Sequence, residues 1–95
     1  MAILPKQDIK FHILWKLHIK RMYGGKHTAI ENVSKGVPPH LKGEYHYTAK
    51  ELIREGYILA KSTNYGLQIS LNTKKVGEIM EIVTEFARRQ KKFLV

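Results

Sequence analysis

Five histidines, a Gly24-Gly25-Lys26 run and a lysine-rich stretch between Pro39 and Gly56 are the parts of this sequence best suited to chemistry or binding. Metal binding needs ligands that converge, as when His-x-x-x-His puts two rings on one helix face. His12 and His18 are six residues apart, as are His40 and His46, so each pair falls on different sides of a helix. No cysteine occurs, which excludes thiolate ligands and disulfides. Gly24-Gly25-Lys26 begins like a phosphate-binding loop, but His27 follows where Ser or Thr is required and no strand precedes it. It reads as a turn. Glu31, Glu44, Glu51 and Glu55 read as helix caps or as partners of Lys50 and Arg54, not as paired catalytic acids. No catalytic residue, metal ligand or cofactor site is therefore expected, and the chain is read as a non-enzyme. The remaining candidate is a helix face. If Tyr45, Ala49 and Leu52 point inward, Lys42, His46, Tyr47, Lys50 and Arg54 point outward. Lysines and arginines there suit phosphates and guanine edges, and His46 and Tyr47 suit hydrogen bonding or stacking.

Charge favours the same partner. Seventeen Lys and Arg stand against eight Asp and Glu, a net charge of +9 in 95 residues. Nucleic acids and anionic membranes are the usual uses of such an excess. The longest apolar run in the first helical segment is Ile13-Leu14-Trp15, far short of a membrane span. Met1 to Lys10 holds no long apolar run and no small-residue cleavage site. A cytoplasmic protein with no membrane partner is expected. No repeat or Ser/Gly-rich linker divides the chain, so residues 1–95 read as one domain. A core this small is marginal, and without cysteine a second subunit is a natural source of further stability.

The elements that position the basic face follow from periodicity. Residues 6–22 read as a helix with two apolar stripes, Ile9, Ile13, Leu14 and Leu17 on one and Phe11, Trp15, Ile19 and Met22 on the other. Tyr23-Gly24-Gly25 is its expected stop. Thr28 and Glu31 match a capping box and predict a short helix over 28–35, with Ile30 and Val33 inward. Gly36-Val37-Pro38-Pro39 breaks it, and Pro39 suits the first turn of a third helix over 40–55, stopped by Gly56. Residues 57–71 read as a hairpin, with Leu67 to Leu71 alternating apolar and polar. Asn72 or Thr73 caps a last helix over 73–90, whose inward stripe is Val76, Ile79, Met80, Val83, Phe86 and Ala87. Arg88-Arg89-Gln90-Lys91-Lys92 is a basic tail to that helix.

This order of elements resembles the winged helix-turn-helix family, in particular small archaeal MarR- and ArsR-like DNA-binding proteins. The residues carrying the resemblance are Gly24-Gly25-Lys26-His27-Thr28, Leu52-Ile53-Arg54-Glu55-Gly56-Tyr57-Ile58 and Leu71-Asn72-Thr73-Lys74-Lys75-Val76-Gly77. It implies an α+β, mostly helical fold: a three-helix core, a β-hairpin wing and a C-terminal helix. It further implies a double-stranded DNA-binding protein, a transcription regulator with the 40–55 helix in the major groove. Lys61, Asn64 and Tyr65 are then the wing contacts.

Apolar surplus suggests a homodimer. The second stripe of the first helix and Ile82 exceed what a monomer core needs, and related regulators pair through their first and last helices. Phe11, Trp15, Ile19, Ile82 and Phe86 are the expected interface. An alternative function is that of a winged-helix protein-interaction adaptor within a transcription or other assembly. The basic tail and Tyr45, Tyr47, Tyr57 and Tyr65 would also permit RNA, although no RNA-binding motif is present. No effector can be named.

Overall fold

The computed structural model describes residues 6–89. The fold is α+β, with three α-helices and a three-stranded antiparallel sheet. The helices are α1 (Lys6–Ile19), α2 (Lys42–Arg54) and α3 (Val76–Arg89); the strands are β1 (Thr28–Ala29), β2 (Ile58–Thr63) and β3 (Gly66–Leu71). Strand order is β1-β3-β2. The long hairpin pairs Ile58 with Leu71 through to Thr63 with Gly66, leaving Asn64 and Tyr65 at its tip. One face of the sheet delivers Ile58, Ile69 and Leu71 to the core, where they meet Ile9, Ile13, Leu14 and Leu17 of α1 and Tyr45, Ala49 and Leu52 of α2.

Two helices end by one device. At the end of α2 the Gly56 N–H donates to the Ile53 carbonyl and the Tyr57 N–H to the Leu52 carbonyl, both at 3.1 Å, with Gly56 at φ +87. This is a Schellman motif, and glycine is the residue expected at its left-handed position. At the end of α1 the Arg21 N–H donates to His18 O at 2.9 Å and the Met22 N–H to Leu17 O at 3.0 Å. The geometry is the same, but Arg21 holds the left-handed position at φ +56. The helix therefore stops before the Gly24-Gly25 pair predicted to end it, and the segment 20–22 is a turn. Met22 then hydrogen-bonds through its carbonyl to the Leu71 N–H at 2.6 Å, stitching the turn to β3.

The predicted helix over 28–35 is replaced by strand β1 and a 3-10 turn, Ile30–Ser34. Thr28 pairs with Ile69 at the sheet edge, and Ala29 pairs with Gln68. The Thr28 hydroxyl accepts from Asn32 Nδ2 at 2.6 Å instead of capping a helix. Edge pairing has taken the residue that the capping box needed. Ile30 and Val33 are nevertheless buried, as predicted. Pro39 opens a 3-10 turn, Pro39–Leu41, that leads into α2. Asn72 caps the segment before α3: its side chain accepts from the Lys74 N–H at 3.0 Å and donates to the Gly56 carbonyl at 2.8 Å. One side chain thus ties the exit of α2 to the entry of α3. A 3-10 turn, Thr73–Lys75, precedes α3 itself. Residues 90–92 of the expected basic tail lie outside the described residues.

α3 packs along α1 and covers much of the second apolar stripe. Phe86 is 6% exposed, and its ring lies 6.0 Å from that of Trp15. Phe11 sits beneath the Arg89 guanidinium at 5.5 Å. Ile82 is half-buried against the core. Of the five residues expected at a dimer interface, Phe86 is spent in the monomer core, Trp15, Phe11 and Ile82 are half-buried, and Ile19 alone is widely exposed, at 52%. The apparent apolar surplus disappears because α1 packs against α3 as well as against α2 and the sheet. Val76 and Met80, expected to face inward, are exposed instead, because the buried line of α3 runs through Ile79, Val83 and Phe86.

Arg21→Gly relieves the left-handed strain at the end of α1. It should stabilise the protein by roughly 1 kcal/mol and raise the thermal midpoint by about 4–8 °C. Calorimetry checks it; an unchanged or lower midpoint would contradict the cap.

Candidate nucleic-acid interface

α2 owes its orientation to Tyr45, Thr48, Ala49 and Leu52, which are fully or almost fully buried. At 100° per residue this leaves Gly43, Tyr47, Lys50 and Arg54 along the centre of the outer face. All four are exposed, Tyr47 at 53%. Lys42 is exposed on the flank that faces the Ile30–Ser34 turn. The ion pairs among the described residues are Lys10–Glu55, Arg88–Glu85 and Asp8–Arg89, so Lys42, Lys50 and Arg54 belong to none of them. The structure thus brings Tyr47, Lys50 and Arg54 together on one exposed ridge, with Lys42 exposed on its flank. Gly43 belongs to the same ridge; helical spacing alone places it there, although a residue without a side chain is easily passed over.

His46 does not join them. It is half-buried, and its Nε2 lies 3.1 Å from Ser34 Oγ, whose hydroxyl is also 3.2 Å from the Glu31 carbonyl. With the hydroxyl donating to that carbonyl, the His46 Nε2–H donates to Ser34. The ring fastens α2 to the preceding turn and is a positioning group, not a surface contact. It sits closer to the buried side than Lys50, and the turn packed there claims it.

The turn is held from behind by Lys16 of α1. Its Nζ donates to the Val33 carbonyl at 2.9 Å and to the Lys35 carbonyl at 3.0 Å. Burial, and then the charge of Lys20, lower its pKa. On the other side of α2, Lys10 pairs with Glu55 at 2.7 Å. Beside that pair is a cleft of about 420 Å³ lined by Gln7, Phe11, Thr48, Glu51, Tyr57 and Ile82. The outer surface of α2 is therefore divided: lysine and arginine along the ridge and the turn-facing flank, carboxylates of Glu44, Glu51 and Glu55 on the opposite flank.

The wing residues are all exposed. Tyr65 is 90% exposed at the hairpin tip, next to Asn64, and Lys61 lies opposite Gln68 on β3. The tip is fixed by Thr63, whose hydroxyl donates to the Gly66 carbonyl at 2.8 Å and accepts from the Tyr65 N–H at 3.1 Å. Lys61 is the hairpin's one cation.

A buried aromatic cluster joins the three helices behind this surface. His12 Nδ1 lies 2.6 Å from the Tyr45 hydroxyl, and the imidazole stacks on Phe86 at 5.7 Å and 15°. Burial, and secondarily the Lys16 charge, push the His12 pKa below its ordinary value; burial raises that of Tyr45. The neutral ring accepts from the tyrosine O–H. No group of three or more metal-ligating side chains exists among the described residues, and no helix among them is long and apolar enough to cross a membrane. No family model, curated protein or solved structure matches the chain.

Because burial lowers the proton affinity of His12 in the folded state relative to the unfolded chain, whose ordinary value is near 6.5, the unfolded state binds more protons as pH falls toward and below that value. Stability should be full above about pH 7 and decline on acidification. His12→Asn, which keeps an acceptor for Tyr45, should flatten this decline. Thermal midpoints between about pH 7.5 and 5.5 check it; identical slopes in the two proteins would contradict it.

Proposed function

We propose that the protein binds double-stranded DNA as a winged helix-turn-helix regulator of transcription, with α2 in the major groove and the β2–β3 hairpin as the wing. The observation that carries this reading is the ridge of α2. Its cations Lys50 and Arg54, and Lys42 on the flank beside it, stand outside the ion pairs of the described residues, on a helix whose opposite face is locked into the core. A helix presented this way fits the major groove, and the turn Ile30–Ser34, packed across its start, sets the docking angle. Lys42, Lys50 and Arg54 meet phosphates or guanine edges, Tyr47 stacks or hydrogen-bonds, and Lys61, Asn64 and Tyr65 touch the backbone or minor groove beside it. The net charge of +9 supplies long-range attraction. Glu51 and Glu55 repel phosphates on the α1 side, so the backbone runs on the flank of Lys42.

Titration of duplex DNA by fluorescence anisotropy between roughly 50 and 200 mM salt tests this. Submicromolar affinity at the lower salt, with a steep linear fall in log K against log salt, is expected. Lys42→Ala and Lys50→Ala should each weaken binding to all sequences and reduce the slope by about 1. Absence of binding at the lower salt rejects the proposal.

A two-fold dimer is part of the same reading, favoured by Ile19, Met80 and Val76, which remain exposed. Trp15, Ile19, Met80, Val83 and Ala87 line a shallow, mostly apolar groove between α1 and α3, with His18, Thr84 and Arg88 also lining it. A dimer through this groove would place two α2 helices on half-sites about one helical turn apart. Ile19→Glu combined with Met80→Glu should convert it to monomer in sedimentation equilibrium without loss of helical circular dichroism. A wild-type protein that sediments as a monomer at all concentrations removes the dimer and leaves the DNA contact standing.

A further inference from the structure

Seven glycines occur in the chain, and four of them, Gly24, Gly36, Gly56 and Gly66, have positive φ, which accounts for their identity. Gly25 lies in a turn. Gly43 and Gly77 are different: both lie inside helices, with φ in the range open to every residue. A Cβ built on either meets nothing within 4 Å. Neither backbone conformation nor internal packing calls for glycine there, and glycine weakens a helix relative to alanine or glutamine. For Gly43 the chain thus keeps a destabilising residue that its own fold does not require. Its surroundings indicate why. Gly43 lies in the first turn of α2, at the head of the exposed ridge continued by Tyr47, Lys50 and Arg54, with Lys42 beside it. The bare Cα is a low point on that ridge, between Lys42 on one side and the exposed Glu44 on the other.

We infer that Gly43 is the point of closest approach between α2 and duplex DNA: the wall of the major groove comes within van der Waals distance of its Cα, and a side chain at this position would hold the helix out of the groove. The inference rests on the DNA-binding reading and adds a steric, uncharged determinant to it. The lysines around Gly43 set the strength of attraction and its salt dependence. Gly43 sets how deep the helix sits, and so whether Tyr47 and Lys50 reach base edges or stop at phosphates. Gly77 lies in the first turn of α3, after Lys74 and Lys75 and before Glu78, away from the α2 ridge, and it serves as the comparator.

The experiment is a series, Gly43→Ala, Gly43→Gln and Gly77→Gln, measured for thermal midpoint and for affinity to a duplex that wild type binds. All three should fold, with midpoints equal to or roughly 2–6 °C above wild type. Gly43→Ala should weaken duplex binding a few-fold and Gly43→Gln by at least about tenfold, a loss that grows with side-chain volume while the protein becomes no less stable. The salt slope should stay at its wild-type value, because no charge has been removed. Gly77→Gln should bind as wild type does. Wild-type affinity in Gly43→Gln would overturn the inference and leave DNA binding intact. Failure of wild type itself to bind duplex would show first, before any variant, and would sink both.

Discussion

The inward rotation of α2 is the constraint on which the rest of the molecule depends. Tyr45, Thr48, Ala49 and Leu52 are buried against α1 and the sheet, and a helix with that face locked has no freedom to choose what its other face presents. Several contacts pin the rotation from different sides. His12 meets the Tyr45 hydroxyl from α1, the Ser34 hydroxyl meets His46 from the preceding turn, and Lys10 meets Glu55 near the C-terminal end. The buried pairing of His12 and Tyr45 matters most for specificity of packing, because a tyrosine hydroxyl left without a partner in this interior would carry a desolvation penalty of about 1–3 kcal/mol.

Electrostatics then sorts the outer surface. Acidic side chains are few, and several are already engaged: Asp8 with Arg89, Glu55 with Lys10, Glu85 with Arg88, and Glu78 with the Tyr57 hydroxyl at 3.0 Å. That last bond raises the Tyr57 pKa. Cations greatly outnumber acids, and on α2 the carboxylates of Glu44, Glu51 and Glu55 share one flank, which leaves Lys50 and Arg54 on the ridge and Lys42 on the other flank. Exposed ion pairs of this sort contribute little to stability. Their larger effect is to neutralise charge locally and so leave the ridge as a distinct positive surface.

Much of this was legible in the sequence because periodicity reports burial directly. The three long helices, the hairpin and its tip, the inward faces of Tyr45, Ala49 and Leu52, and the exposure of Lys42, Tyr47, Lys50 and Arg54 all follow from spacing. The misreadings have one physical source each. Arg21 in a left-handed cap gives no sequence signal, since glycine is the usual occupant, so the pattern points to the next glycines as the end of α1. Thr28 and Glu31 satisfy a capping pattern, but a sheet edge competes for Thr28, and a strand of two residues has no period to detect. His46 has outward-leaning helical phase, yet the neighbouring turn holds it. The expected interface of Phe11, Trp15, Ile82 and Phe86 reflects tertiary packing that local patterns cannot count: α3 lies over α1 and takes up most of that surface.

The arrangement couples stability and surface presentation through the same residues. Asn72 binds the exit of α2 to the entry of α3, and Lys16 binds α1 to the turn before α2, so the ridge and the wing move as parts of one packed unit. Amide chemical-shift mapping of the isotopically labelled protein with a short duplex tests this account most directly. The account predicts that perturbations concentrate at Lys42, Gly43, Tyr47, Lys50 and Arg54 and at Lys61 to Gly66, with the outer face of α3 silent. Perturbations centred on α3 or on the α1–α3 groove, with the α2 ridge silent, would contradict it.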